Sequence, residues 1–160
     1  MILALKNLLF TVFVPGTVAG FVPWLLMRDE AFAWGPGAAL ALLLFAVGGA
    51  IYFWCLWDFA TFGRGTPAPI DAPKSLVVHG LYRYSRNPMY VGVLTVLLGW
   101  VVLSGWLVLL VYSACVASCF QLFIVYYEEP HLKRTFGQSY EAYLCRVGRW
   151  LPGIGRGPSG

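Results

Sequence analysis

The chain has 160 residues and a formal charge of +4, with 59% hydrophobic residues, 11% charged residues and a mean hydropathy of +0.72. Soluble domains average roughly 45–50% apolar and 25% charged residues, so this composition excludes a soluble domain and describes an integral membrane protein. The small positive charge sits beside apolar segments and forms no hydrophilic basic patch, which argues against nucleic acid as a partner.

In chain order, Lys6 is followed by an uncharged run that predicts a membrane helix over 7–27, long enough for a hydrocarbon core of about 30 Å. Pro15, Gly16 and Gly20 are positions where this helix can bend or pack closely. Ala31-Phe32-Ala33 resembles a signal-peptide cleavage site, but the apolar run exceeds the usual ~7–15 residues and the positive region before it is thin, which favours a retained helix. Gly35-Pro36-Gly37 breaks the next run at its start and leaves a second membrane helix over 38–59. Asp58, near its end beside Trp54 and Trp57, is either a snorkelling interfacial acid or a functional one.

From Thr61 to Arg86 the glycines and prolines predict an irregular loop, and Arg64, Lys74, Arg83 and Arg86 against Asp71 place it in the cytoplasm by the positive-inside rule. Asn87 is a suitable N-cap and Pro88 a suitable first helical residue, so a helix should begin here with its free N–H groups turned toward Arg83 and Arg86. No charge occurs between Asn87 and Tyr127, and Ser104-Gly105 divides this stretch into a hairpin of helices over 88–103 and 106–127. The first of these, at roughly 24 Å, is short for a full crossing.

After Glu128-Glu129-Pro130 the tail is again basic, which returns it to the side of the 61–87 segment. Leu132, Phe136, Tyr140, Tyr143, Leu144 and Val147 recur at three- and four-residue steps and predict one amphipathic helix from His131 to Val147, with a frayed glycine-rich end from Gly153. Cys55, Cys115, Cys119 and Cys145 lie in or beside apolar segments without zinc-type spacing, so they are read as small apolar residues and no metal site is expected.

The fold expected is therefore an all-α integral membrane protein of about four membrane helices, with a C-terminal amphipathic helix capping a site on the cytoplasmic side. The hairpin brings Glu128 and Glu129 near Arg83, Arg86, Asn87, Tyr82, Tyr84 and Tyr90. Acids, guanidinium groups and aromatic faces together suit a zwitterionic ligand with a positive centre. The same residue types also serve as interfacial anchors and surface ion pairs, and a four-helix scaffold or a small transporter is the alternative to an enzyme.

Two blocks carry a resemblance. Ser75-Leu76-Val77 with Gly80 through Gly92 forms the first, and Glu128-Glu129-Pro130 with Phe136 through Tyr143 and Arg149-Trp150-Leu151-Pro152 forms the second. In this order, at opposite ends of an uncharged hairpin, they resemble the isoprenylcysteine carboxyl methyltransferase and phospholipid methyltransferase superfamily of membrane enzymes. Asn87 stands where the carboxyl methyltransferase pattern usually has His, and Ile124 where the eukaryotic prenylcysteine enzymes place an Arg. The Asn-Pro-Met-Tyr and Glu-Glu-Pro sequences look closer to the phospholipid N-methyltransferase variant.

What the resemblance implies is S-adenosylmethionine as methyl donor. Ser75, Leu76, Val77, Tyr82, Arg86, Asn87, Pro88, Met89, Tyr90 and Glu128 would hold it. The acceptor would be a lipophilic small molecule or a lipid headgroup entering laterally from the bilayer, in a multi-pass protein of bacterial inner-membrane type with termini and site cytoplasmic. Positioning and desolvation dominate such a transfer, and an ammonium acceptor would also need a base, for which Glu129 and Asp58 are the candidates.

Overall fold

The computed structural model describes residues 2–27, 36–63 and 75–152, and every regular element among them is helical. The helices are α1 (Ile2–Phe13), α2 (Val22–Met27), α3 (Pro36–Asp58), α4 (Pro88–Ser104), α5 (Leu107–Phe123), α6 (Glu129–Phe136) and α7 (Gln138–Arg146). Wide π-type turns join several of them into longer rods. Three rods are long and apolar enough to cross a membrane, Leu8–Met27, Gly37–Gly63 and Leu107–Phe136, while α4 is apolar but only 17 residues long. Their outer surfaces are apolar as well, with Leu42, Phe53, Leu107, Val111 and Leu122 exposed, as a lipid-facing surface requires. The turn at Arg28-Asp29-Glu30, the Ala31-Phe32-Ala33 sequence, most of the proline-rich loop and the glycine-rich end from Gly153 lie outside the described residues.

Prolines explain two of the wide turns. In Thr17–Phe21 the Val22 N–H bonds Thr17 O, and in Ile124–Glu128 the Glu129 N–H bonds Ile124 O; each time the next residue, Pro23 or Pro130, has no N–H to offer. The first turn deprives the Val18 and Ala19 carbonyls of their regular donors. Those are the two carbonyls that accept the Tyr112 hydroxyl and the Trp100 indole N–H, each at 2.8 Å. The first rod is thus fastened to α4 and α5 through the carbonyls that its own proline releases.

The closest packing in the bundle is between α3 and α4. A methyl group on Gly48 would lie 2.7 Å from Gly92 O, and one on Gly92 would lie 2.9 Å from Gly48 O, so the two backbones touch where neither residue has a side chain. Gly99 repeats the contact further along, against Phe45 and the Ala41 carbonyl. At the far end Gly105 caps α4 with φ of 66°, a left-handed conformation that glycine adopts without strain, and the chain turns directly into α5.

Three expectations change. The last membrane helix does not stop at Tyr127, because the π turn carries it through Glu128, Glu129 and Pro130 into α6. The single amphipathic helix expected over His131–Val147 is instead α6 and α7, divided at Gly137, whose φ of 51° interrupts the helical path. The segment expected to be irregular from Thr61 begins as the end of the second rod, through Gly63, and includes a 3₁₀ turn at Gly80–Arg83.

Candidate functional site

One cavity of about 550 Å³ occupies the end of the bundle where Phe10 and Val14 of the first rod, Phe59 after α3, the start of α4 and the last turns of the third rod come together. Neighbouring rods therefore run in opposite directions, and both halves of the hairpin meet at this end. The third rod supplies ten of the twenty-one wall residues, eight of them in two rows at four-residue spacing: Cys119, Phe123, Tyr127 and His131, then Phe120, Ile124, Glu128 and Leu132. In the first row the rings of Phe123, Tyr127 and His131 stack in succession, with centroids 5.0 and 6.1 Å apart.

Within this largely apolar wall the polar groups are few. The Tyr90 hydroxyl donates to Glu128 Oε2 at 2.9 Å, and the Tyr90 ring packs on Phe120. Among the described residues Glu128 has no cationic partner. Its neighbour is in the opposite state. Glu129 accepts two parallel bonds from Arg149, Nε at 2.8 Å and a terminal nitrogen at 2.9 Å, and a third from Arg86 at 3.0 Å. Such a fork-to-fork pair, reinforced by a second guanidinium, balances the charge of the acid and occupies both of its oxygens. Arg86 is itself nine-tenths buried, and its Nε has no hydrogen-bond partner among the described residues.

The C-terminal segment completes this arrangement. Arg86 N–H donates to Gly148 O, while the Ser85 hydroxyl and the Asn87 amide both donate to Arg149 O. Asn87 occupies the N-cap position of α4, as its residue type predicts, but its side chain caps nothing and ties the tail instead. Pro88 follows as the first helical residue. The Tyr143 hydroxyl donates to Tyr82 O at 2.7 Å, and Tyr140, Tyr143 and Val147 form a small core with Leu76, Leu132 and Phe136. Burial pushes the Tyr82 phenol well up and the Tyr143 phenol up, while burial and then the Glu129 charge push Tyr140 up to about 12. All three are neutral donors and acceptors at physiological pH.

Of the residues expected at the site, Leu76, Val77, Tyr82, Arg86, Asn87, Tyr90, Glu128 and Glu129 line the cavity together. Ser75 does not; it is exposed and its hydroxyl bonds Phe62 O. Pro88 and Met89 are buried behind the wall, Met89 in the core with Cys55, Val93 and Leu97. Asp58 is 3% exposed but lies outside the cavity, on a shallow recess with Ala50, Trp54 and Trp57, and a methyl group on Gly80 would overlap its Oδ2. Arg83 and Tyr84 point outward and are exposed. Arg149 takes the place expected for Arg83 as the second guanidinium of the site.

Sequence reasoning passed over Phe10, Val14, Cys119, Phe123, Tyr127 and His131 as wall residues. A signal for the last four existed in their regular four-residue spacing toward the acid pair. None existed for Phe10 and Val14, which reach the cavity only through the packing of the first rod.

An all-helical bundle with an apolar exterior and a ligand-sized cavity at one end defines an integral membrane protein with a candidate binding cavity at that end of its bundle. Residues 37–139, well over half of the chain, match the family model described as phospholipid methyltransferase, and the chain belongs to that family. No curated protein and no solved structure matches it. Membership implies methyltransferase activity at a membrane. The matched span contains α3, α4, α5 and α6, whereas Phe10, Val14 and Arg149 lie outside it and still complete the cavity and its ion-paired rim.

Proposed function

We propose that this protein transfers a methyl group from S-adenosylmethionine to a lipophilic acceptor or lipid headgroup at the cytoplasmic face of a bacterial-type inner membrane. The observation that carries the reading is the polarity of the cavity: among the described residues, one carboxylate, Glu128, is without a cationic partner and one buried guanidinium Nε, Arg86, is without an acceptor, both set in apolar and aromatic walls. Those groups fit the cofactor chemically. Glu128 offers a counter-charge to an ammonium or sulfonium, Arg86 a donor to a carboxylate, and the Tyr90, Phe123 and Tyr127 rings apolar faces for a purine or a cation. When bound, S-adenosylmethionine supplies an electrophilic methyl group on sulfur.

The chain's own contribution is to hold and to dry the reacting groups. Leu76, Val77, Leu132 and Phe136 close one side of the cavity, and α6 and α7 pack over that side through the small tyrosine-centred core. A cavity of about 550 Å³ is within the usual range for one drug-sized ligand. A second molecule can then place its reacting group there only if its hydrocarbon remains outside, in lipid. Glu128 is the acid assigned to the ligand. Glu129, held by two guanidinium groups, is assigned to positioning, and Asp58 has no part in the site.

The positive-inside argument places the cavity end, the segment before α4 and the tail on the cytoplasmic side. The test is calorimetric titration of S-adenosylmethionine into the protein in nanodiscs, followed by turnover of methyl-labelled cofactor against lipids bearing amine, carboxylate or thiol groups. Saturable binding with transfer to at least one lipid class is expected. Absence of binding by folded protein would overturn the proposal.

A further inference from the structure

The first rod is built in two unlike halves. Its second half is fastened: Ala19, Pro23 and Met27 are buried, and the Val18 and Ala19 carbonyls accept bonds from Tyr112 and Trp100. In the first half no residue from Leu8 to Val18 is buried, and Phe13 is 70% exposed. It nevertheless supplies Phe10 and Val14 to the cavity wall, together with Cys119, Phe123 and Tyr127 of the third rod. Between the halves lie Pro15, Gly16 and Thr17, where the π turn Thr17–Phe21 begins. Pro15 has no N–H for the ladder, and a π turn already holds its bonds at the wider spacing, so bending is concentrated at these positions. On the near side of the bend the Thr11 hydroxyl and the Tyr52 hydroxyl of α3 are 3.0 Å apart.

We propose that the N-terminal half of the first rod is a lateral gate: it swings about Pro15–Thr17, is held shut through Thr11 and Tyr52, and admits the alkyl chain of a bilayer-borne acceptor past Phe10 and Val14. This rests on the lipid-acceptor reading above. The chemistry of the opening favours hydrocarbon as its occupant, since Phe10, Val14 and Phe123 present no charge and the rod around them is apolar and long enough to cross a membrane. The gate also lies outside the span that matches the family, so it is a means by which this chain sets its acceptor while the family segment sets the chemistry.

The experiment measures spin-label distances in phosphatidylcholine nanodiscs, with Cys115, Cys119 and Cys145 replaced by Ser. Labels at Leu9→Cys and Leu122→Cys report the moving half, and labels at Leu25→Cys and Val111→Cys report the fastened half; all four positions are exposed. The first distribution should be about twofold broader than the second, because a segment with no buried residue opens locally at low cost. Thr11→Val should shift it toward longer distances, and Pro15→Ala, which restores a ladder N–H, should narrow it. Hexadecylamine in the lipid should shift the first pair and leave the second unchanged, whereas ethanolamine in the buffer should shift neither. Equally narrow distributions for both pairs would overturn the gate, and so would a first pair indifferent to hexadecylamine. Failure to bind S-adenosylmethionine, with gate motion intact, would instead overturn the functional reading and leave the hinge standing.

Discussion

Glu128 and Glu129 are adjacent and chemically identical, and the structure assigns them opposite environments, so neutralising each in turn separates ligand binding from folding. Glu129 accepts three charge-assisted bonds, and the side chains involved are 5% exposed for Arg86, 16% for Glu129 and 19% for Arg149. Glu129→Gln leaves two guanidinium groups facing each other with one neutral acceptor between them. Breaking a buried pair costs about 3–5 kcal/mol, and the residual solvent access together with the retained amide oxygen brings the expected loss to about 3 kcal/mol. Glu128→Gln retains an oxygen that can accept the Tyr90 hydroxyl, so its cost in stability is below about 1 kcal/mol.

For cofactor affinity the order reverses. Removing the charge of Glu128, which has no cationic partner among the described residues, forfeits a charge-assisted contact of about 1.5–3 kcal/mol, which is a 10- to 150-fold weaker dissociation constant by the usual conversion, about tenfold per 1.4 kcal/mol. The assay pairs thermal unfolding in nanodiscs with calorimetric titration of S-adenosylmethionine, both at a temperature where each variant is folded. A Glu129→Gln protein of native stability, or a Glu128→Gln protein that binds the cofactor like the wild type, would refute the division of roles.

Further expectations follow from the same geometry. Arg149→Met should destabilise the fold by about 2–3 kcal/mol through the loss of the parallel pair to Glu129, and Arg149→Lys, which can restore only one bond, should recover part of it in the same unfolding assay. Gly48→Ala should force α3 and α4 apart at the Gly92 carbonyl and cost roughly 1–3 kcal/mol, whereas Gly49→Ala, which meets nothing within 4 Å, should be nearly silent. The Tyr140 phenol, pushed up to about 12 in the folded protein from an ordinary 10.0, contributes stability that is complete below pH 10 and is lost as the pH rises toward 12. Tyr140→Phe should therefore flatten the alkaline limb of an unfolding midpoint measured across that window. Val78→Cys and the native Cys145, both exposed near the cavity end, should react with a membrane-impermeant thiol reagent only from the cytoplasmic side, and Trp106→Cys only from the other; labelling of Val78→Cys and Cys145 from opposite sides would refute the topology.

Hydropathy and charge position alone determined that this is a helical membrane protein, where its rods lie, and that the basic segment before Asn87 and the acid pair after Tyr127 meet. These follow from local physics: twenty apolar residues in a row have no stable alternative to a helix in lipid, and a short hairpin returns the chain to the side it left. The resemblance of the two polar blocks added the chemistry, and the family match agrees with it. Only the tertiary structure decided which of two neighbouring acids is neutralised, because the partner is Arg149, twenty residues further along the chain. It also decided that Asp58, Arg83 and Ser75 stay out of the cavity while Phe10, Val14 and the 119–131 row enter it. Residue type says that an ion pair or an aromatic wall is affordable; which groups face one another depends on how rods distant in sequence rotate and cross, and here that is set by the backbone contact at Gly48 and Gly92 and by the wide turns ahead of Pro23 and Pro130.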